Sequence, residues 1–250
     1  MKQRVFRCLF FSCPYLAASS ALVQAATLNP GCVVLLHGLA RTAHSMSAMS
    51  EALKQAGYQT VNVDYPSTQM NIPALAERVI PEGVSQCGHT QPVHFVTHSM
   101  GGILVRQYLS VHHLPALGRV VMLAPPNQGS EVVDTLRDFF LFQWIYGPAG
   151  QQLGTDVQSP PKCLGPVNFE LGVIAGNRSI DFLTSWPLPD PHDGKVSVES
   201  TKVAGMKAHL VLPATHTLIM NDDETIQQAV YFLGHGFFLN PDISNQEERY

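Results

Sequence analysis

The chain has 250 residues, of which 45% are hydrophobic and 14% are charged. This length fits one domain, or at most two small ones, with enough apolar material for a buried core. The net charge is −4 at pH 7, whereas proteins that bind nucleic acids generally carry an excess of lysine and arginine. The composition therefore indicates a globular protein of enzyme size and excludes a disordered chain or a general nucleic-acid binder.

The beginning of the chain has the pattern of an export signal. Three basic residues precede the apolar stretch 8–23, which contains no charged residue. Small residues leading up to Ala25 fit cleavage by a signal peptidase after that position. An uncleaved membrane anchor is the alternative, although the apolar stretch is short for a spanning helix. We expect residues 1–25 to be a signal peptide, residues 26–250 to be the folded domain, and the protein to be periplasmic or secreted.

Strands and helices alternate along the next part of the chain. Apolar runs rich in β-branched residues predict strands at residues 32–36, 60–64, 93–97 and 119–123. Apolar residues at helical spacing predict helices between these strands, at residues 45–57, 72–86 and 100–112. Strands that are apolar on both faces are typical of parallel sheets. The pattern predicts an α/β fold with a mostly parallel central sheet and helices on both faces.

This alternation is interrupted at residues 127–169, which contain several glycines and prolines and a block of aromatic residues. Long irregular connections are usually functional or disordered, so we interpret this stretch as a small cap or lid insertion at the functional edge of the sheet. The alternation then returns, with strands at 171–175 and 209–212, an intervening loop at 176–197 and a helix at about 218–233. The polar tail 240–250 is expected to be solvated.

A candidate nucleophile lies where the strand at 93–97 meets its helix. Residues 97–102 read T-H-S-M-G-G. In the pattern G-x-S-x-G, small residues flank a serine on a sharp strand-to-helix turn, which exposes the hydroxyl above the sheet. Thr97 replaces the first glycine of that pattern, and a serine that merely caps the helix is the alternative interpretation. Ser99 is the candidate nucleophile.

A second element ends at the same edge of the predicted sheet. His37-Gly38-Leu39 follows the first strand, and Met100 follows the candidate serine. Two backbone N–H groups that converge on one point stabilise a negatively charged oxygen in a transition state. We therefore expect the amides of Leu39 and Met100 to form an oxyanion hole, with an ordinary turn at 37–38 as the alternative.

A serine hydroxyl is a weak nucleophile at neutral pH and needs a base. His216 follows the strand at 209–212 and precedes the last helix, which is its place in the chain order Ser, Asp, His. A structural histidine is the alternative there. Seven other histidines that follow or lie in the predicted elements are at less suitable places in this pattern, at positions 37, 94, 98, 112, 113, 209 and 235.

An acid is needed to orient the base. Asp193 fits best, because Gly194 permits a tight turn that presents the carboxylate before an extended segment. Asp181, Asp190 and Asp222 remain alternatives. A turn-forming Asp-Gly without a catalytic role is also common.

Four motifs occur in a characteristic order: V-V-L-L-H-G-L at 33–39, T-H-S-M-G-G at 97–102, D-G-K-V-S-V-E-S at 193–200 and T-H-T at 215–217. Together they resemble the α/β-hydrolase superfamily, and most of all its secreted or periplasmic lipase- and esterase-like members. The resemblance covers roughly residues 30–235. It implies Ser99 as nucleophile, Asp193 as acid, His216 as base, and the Leu39 and Met100 amides as oxyanion donors.

The resemblance also bears on the cysteines. Loss of the signal peptide would leave Cys32, Cys87 and Cys163, an odd number that allows one disulfide and one free thiol. The resemblance implies that the strand ending at His37 neighbours the strand ending at Ser99, which would let Cys32 and Cys87 meet. A disulfide between Cys32 and Cys87 is therefore expected.

The expected function is hydrolysis of carboxylic esters with an apolar acyl part, through an acyl-enzyme. The substrate would be a small-molecule ester or a lipid. The apolar segment 134–146 could line an acyl pocket, contact a membrane surface peripherally, or pack on the core. An acyltransferase, a thioesterase or a non-catalytic binding protein with the same fold are the alternatives. No metal-ligand spacing or nucleotide-binding loop is found, so neither metal nor cofactor is expected.

Overall fold

The structure is a computed structural model that describes residues 30–180, 186 and 188–239. The expected signal peptide at 1–25, the alternative acid Asp181 and the tail 240–250 lie outside the described residues.

Across these described ranges, six strands form one sheet in which every neighbouring pair is parallel. The strands are β1 (Cys32–Leu36), β2 (Gln59–Val63), β3 (Val93–His98), β4 (Leu117–Leu123), β5 (Leu171–Gly176) and β6 (Ala208–Leu212), in the spatial order β2-β1-β3-β4-β5-β6. Leu36 pairs with Thr97 and His98 pairs with Leu123, so β1, β3 and β4 end at the same edge. The predicted α/β fold with a parallel sheet is confirmed.

The helices in the described part of the chain are α1 (Ser47–Gln55), α2 (Ile72–Gln86), α3 (Met100–Val111), α4 (Glu131–Leu136), α5 (Phe140–Gln151), α6 (Pro160–Cys163) and α7 (Asp223–His235). Two predicted starts were wrong. The helix expected from residue 45 begins as a 3-10 turn, Ala43–Met46, before α1. The helix expected from residue 218 begins at Asp223, because the Asp222 side chain caps α7 by accepting the N–H of Thr225 at 2.9 Å.

The two faces of the sheet are covered by different helices. Alternate residues of β1 point to opposite sides, as the period of a strand requires. Cys32, Val34 and Leu36 pack in a core cluster that includes α2 and α3, whereas Val33 and Leu35 pack in a second cluster with α1 and α7. This explains why the strand is apolar at every position.

The connection between β4 and β5, residues 124–170, contains α4, α5 and α6 and is therefore less irregular than the sequence suggested. Arg106 on α3 anchors both ends of this connection. Its buried guanidinium donates to the carbonyl oxygen of Asn127 at 3.0 Å, and to the carbonyls of Pro161 at 3.2 Å and Gly165 at 2.8 Å. Burial lowers the pKa of Arg106 to about 10. These bonds fix the connection over the edge where β1, β3 and β4 end.

Cys32 and Cys87 form a disulfide with a Cα–Cα distance of 5.8 Å. It ties the start of β1 to the end of α2, and Cys163 is a free, exposed thiol. None of the helices in the described part of the chain has the length and apolar character needed to cross a bilayer.

Candidate active site

Ser99 occupies a strained turn between β3 and α3. Its backbone angles are φ 52° and ψ −120°, a conformation that costs a non-glycine residue on the order of 1–3 kcal/mol. The turn is held by the Ser99 N–H, which donates to the Leu123 carbonyl at 2.8 Å, and by the Gly102 N–H, which donates to the Ser99 carbonyl at 3.0 Å. The Ser99 side chain makes no capping bond to α3, so the helix-cap interpretation is wrong. The Ser99 hydroxyl can therefore form a hydrogen bond with a residue outside α3.

Gly101 allows this turn to sit close to the sheet. A Cβ at this position would lie 2.8 Å from the carbonyl oxygen of Leu36 in β1, closer than side chains tolerate. Glycine at position 101 thus lets α3 approach β1.

His216 bridges Ser99 and Asp193. Its Nε2 lies 3.1 Å from the Ser99 Oγ, and its Nδ1 lies 2.7 Å from Oδ2 of Asp193. The His216 backbone N–H also donates to the Asp193 carbonyl at 3.0 Å. The structure therefore brings together, in one hydrogen-bonded chain, three side chains that lie 117 and 23 residues apart in sequence.

Asp193 is held by its own turn. Its side chain is fully buried, and its second oxygen, Oδ1, accepts the backbone N–H groups of Lys195 at 2.9 Å and Val196 at 2.8 Å. Gly194 has a φ of 101°, which lets the chain reverse immediately after the carboxylate. Both carboxylate oxygens thus have donors, and the carboxylate is fixed against His216.

The alternative acids lie elsewhere or outside the described residues. The Asp190 carboxylate is 92% exposed and faces His192 at 3.3 Å, and Asp222 caps α7. Asp181 lies outside the described residues. Of the described candidates, Asp193 is the one in contact with His216.

The loop after β1 lies against the Ser99 turn. A Cβ on Gly38 would lie 3.3 Å from the Ser99 Cβ and 2.7 Å from Nδ1 of His98, so glycine is needed for this approach. Leu39 and Ser99 line the same cavity. Met100 is the first residue of α3, and the first N–H groups of a helix have no acceptor within it. The structure thus places the loop that carries Leu39 against the turn that leads into Met100, the first residue of α3.

Two side chains that the sequence analysis missed hold this loop. The Tyr65 hydroxyl donates to the His37 carbonyl at 2.5 Å, and the two rings stack with centroids 4.0 Å apart. Ser67 accepts the N–H of Ala40 at 3.0 Å. Burial raises the pKa of the Tyr65 hydroxyl and lowers that of His37, so the first keeps its proton and the second is neutral. The sequence signal that could have pointed to these two residues is that polar residues directly follow the predicted strand at 60–64.

From the sequence, His98 was only one of the histidines at less suitable places, but in the structure it contacts His216. Its ring is buried, and its Nε2 lies 3.0 Å from the carbonyl oxygen of His216. Burial lowers the pKa of His98 well below its usual value, and the nearby His216 and Arg41 act in the same direction. A neutral His98 with its proton on Nε2 therefore fixes the backbone that carries His216.

A cavity of about 380 Å³ opens above Ser99 and His216. One wall is apolar and comes from the β4–β5 connection, with lining side chains Val132, Val133, Leu136, Phe142, Tyr146 and Leu153. Part of the segment 134–146 therefore lines the cavity. Within the described residues, no group of three or more His, Cys, Asp or Glu side chains is placed to hold a metal ion.

The comparison with known protein families gives the class of this protein, a hydrolase. Residues 33–242 match the alpha/beta hydrolase family, and the chain belongs to that family. No curated protein matches the chain.

Solved structures share the fold. The mature form of a Bacillus licheniformis lipase aligns with a TM-score of 0.62 and 20% identity, over 81% of this chain and 91% of that chain. A metagenomic carboxyl esterase aligns with a TM-score of 0.61 and 19% identity, over 77% of this chain and 66% of that chain. A monoacylglycerol lipase from Paleococcus ferrophilus aligns with a TM-score of 0.55 and 17% identity, over 82% of this chain and 95% of that chain.

Proposed function

We propose that the protein hydrolyses carboxylic esters with an apolar acyl part, using Ser99 as nucleophile, His216 as general base and Asp193 as the acid that orients the base. The observation that carries this proposal is the hydrogen-bonded chain from Asp193 through His216 to Ser99 at the wall of a partly apolar cavity.

In the first step, the Ser99 Oγ attacks the ester carbonyl carbon while His216 Nε2 takes the hydroxyl proton. The carbonyl oxygen becomes negatively charged and is stabilised by the N–H groups of Leu39 and Met100. The bond to the alcohol oxygen then breaks, and the proton passes from Nε2 to the departing alcohol. The product is an acyl group bound to Ser99. Asp193 holds the imidazolium that exists between the two proton transfers.

In the second step, water replaces the alcohol. His216 takes a proton from the water, the hydroxide attacks the acyl carbon, and the same two amides stabilise the oxyanion. The bond between carbon and Ser99 Oγ breaks, and the proton returns to Oγ. The carboxylic acid leaves, and the enzyme is regenerated.

The apolar wall of the cavity supports an apolar acyl group. Burial of such a chain contributes about 0.8 kcal/mol for each methylene group. Leu136, Phe142 and Tyr146 all belong to the β4–β5 connection and line this cavity, so the acyl chain would extend from Ser99 along them.

The test is turnover of p-nitrophenyl esters of increasing acyl length, together with labelling by a fluorophosphonate probe. Ser99→Ala and His216→Ala should lower kcat by several orders of magnitude, and the probe should label the wild type but not Ser99→Ala. Ser110→Ala, an exposed serine on α3, serves as the matched control. Rates in Ser99→Ala equal to those of the wild type would favour a non-catalytic binding protein. Product formation that requires an added alcohol or thiol acceptor would favour acyl transfer.

We further propose that residues 1–25 are a cleaved signal peptide and that the enzyme is exported. The disulfide between Cys32 and Cys87 supports this, because disulfides persist in oxidising compartments. N-terminal sequencing of protein recovered from the periplasm or medium should begin at Ala26. A full-length chain retained in the cytoplasm would contradict the proposal.

Peripheral contact with a lipid surface is also part of the proposal. On α5, Phe142 faces inward, whereas Phe140, Leu141 and Trp144 are 79%, 62% and 74% exposed. Contiguous exposed apolar side chains mark protein or membrane interaction sites. This outer face of α5 adjoins the residues that line the cavity.

A further inference from the structure

The lining of the cavity combines apolar and cationic side chains. The apolar side chains come from the β4–β5 connection, and the lining also includes the cations Arg41 and Lys195. No aspartate or glutamate is among the lining residues in the part of the chain that the structure describes. This contrasts with the whole chain, in which 19 acidic residues outnumber 15 basic ones. The charge of the lining is thus opposite to that of the protein.

Arg41 is the better placed of the two cations. It follows Leu39 and Ala40, so it is fixed next to the loop that carries an expected oxyanion donor. Its side chain is partly buried, and its guanidinium has neither an ion pair nor a hydrogen bond with any described residue. The nearby Asp64 carboxylate accepts the Ala43 N–H at 2.8 Å and forms no ion pair with Arg41.

The charge of Arg41 acts on the site itself. It is one of the groups that lower the pKa of His98, the residue directly before Ser99. A guanidinium presents a planar set of donors that matches the oxygens of a phosphate or carboxylate. An anionic group bound by Arg41 would lie beside the loop that carries Leu39, and the acyl chain would contact the apolar side chains of the β4–β5 connection.

We propose that Arg41 binds an anionic group on the alcohol part of the ester, and that the enzyme prefers acyl esters of phosphate- or carboxylate-bearing alcohols over neutral ones. This inference rests on the proposed ester hydrolase function. Arg41 is then a specificity-determining residue, because it contacts the anionic group of the alcohol that is released from the ester.

The kinetic test compares two substrates with one acyl chain, 1-decanoyl-glycerol and 1-decanoyl-glycerol-3-phosphate, both below their micelle concentrations. The wild type should have the higher kcat/KM for the phosphate ester, and Arg41→Gln should reduce this preference about tenfold. Arg41→Lys should keep part of it. Arg78→Gln, an exposed arginine on α2 outside the cavity lining, makes the same change of charge and should keep the wild-type preference. An unchanged preference in Arg41→Gln would overturn the inference.

A binding test separates this inference from the proposed reaction. Calorimetric titration with octyl phosphate and with octanol should show tighter binding of the phosphate in the wild type and an about tenfold loss in Arg41→Gln. Inorganic phosphate alone should bind far more weakly, since it lacks the apolar part. Equal affinities of wild type and Arg41→Gln for octyl phosphate, or of inorganic and octyl phosphate for the wild type, would overturn the inference. Absence of Ser99-dependent hydrolysis of both esters would overturn the proposed function instead. Thermal unfolding verifies that each variant is folded.

Discussion

The hydroxyl of Tyr65 donates a hydrogen bond to the backbone carbonyl of His37, with 2.5 Å between the two oxygen atoms. Tyr65 follows β2, and His37 follows β1, so this bond joins two neighbouring loops at the edge of the sheet where the active site is proposed. Leu39 lies two residues beyond His37. The position of the Leu39 amide therefore depends on a tyrosine that does not itself line the main cavity.

We expect Tyr65→Phe to lower kcat about tenfold while changing KM much less. The change leaves the ring and its stacking on His37 but removes the bond that holds the loop. Complete loss of an oxyanion donor costs about 10²–10³ in kcat, so displacement of the donor should cost less. Steady-state kinetics on a p-nitrophenyl ester give the two constants. The matched control is Tyr58→Phe, which changes a buried tyrosine whose ring contacts His94, and it should keep the wild-type kcat. A wild-type kcat in Tyr65→Phe would show that the loop does not need this bond.

Asp193→Asn tests the choice among the acids. The substitution keeps the size of the side chain but removes the charge that stabilises the His216 imidazolium, and it offers Nδ1 the wrong hydrogen-bonding partner. In a serine protease, the equivalent change lowers kcat by about 10⁴, and we expect a loss of about 10³–10⁴ here. Asp190→Asn, at an exposed carboxylate, should keep full activity. Full activity of Asp193→Asn would assign the role to another acid, with Asp181 as the first candidate.

Because several histidines are buried, we expect the free energy of unfolding to fall in mild acid. Burial lowers the pKa of His37, His94 and His98 below the value near 6.5 that they have in the unfolded chain. The unfolded state therefore binds more protons as the pH falls below 6.5, and stability that is fully present above that pH is lost. A histidine of the unfolded chain is half protonated at pH 6.5, so each group contributes at most about 1 kcal/mol between pH 6.5 and 5.5, and we expect the free energy of unfolding to fall by about 1–3 kcal/mol.

Urea unfolding at pH 7.5, 6.5 and 5.5 measures this dependence. His94→Gln removes one titrating group that lies far from Ser99. The free energy of unfolding should then fall less steeply with decreasing pH than in the wild type. His113→Gln, at an exposed position, should have the wild-type slope. A free energy of unfolding that does not change over this pH range would contradict the prediction.

Much of the framework followed from local sequence. The bounds of β1 and α2 agree with the prediction, because a fully apolar β-branched run and an amphipathic stretch capped by Asn71 give strong local signals. The start of α7 was placed too early, since apolar residues 218–220 continue the helical spacing. The helix cap at Asp222 overrides that spacing.

The features that sequence could not supply are contacts between distant segments. Tyr65 holds the His37 carbonyl across 28 residues, and His98 bonds to the carbonyl of His216 across 118 residues. Tyr65 belongs to no short motif and His98 is the variable position of its motif, and both act through backbone atoms of their partners. The helices within 127–169 were missed because glycine and proline obscure the periodicity, and Gly147 interrupts α5 with a φ of 62°.

The outer face of α5 gives the remaining prediction. Residues 139–155 carry no charge, and Phe140 and Trp144 project into solvent from the helix that lines the cavity with Phe142 and Tyr146. Aromatic side chains of this kind insert into the boundary between head groups and acyl chains. We expect the protein to co-sediment with vesicles of equal parts phosphatidylcholine and phosphatidylglycerol, and Phe140→Ser with Trp144→Ser to weaken binding at least about tenfold. Full burial of one such side chain is worth about 1.5–3 kcal/mol, and partial insertion of two suffices for this change.

The matched control for this surface is Val111→Ser, which removes an exposed apolar side chain from the end of α3. It should leave vesicle binding unchanged, because Val111 is not part of the α5 face. Thermal unfolding of the double variant should stay close to that of the wild type, since exposed positions contribute within about 0.5 kcal/mol to stability. Equal vesicle binding by the wild type and the double variant would assign the contact to another surface, and absence of binding by the wild type would remove the lipid-surface role while leaving the hydrolase proposal intact.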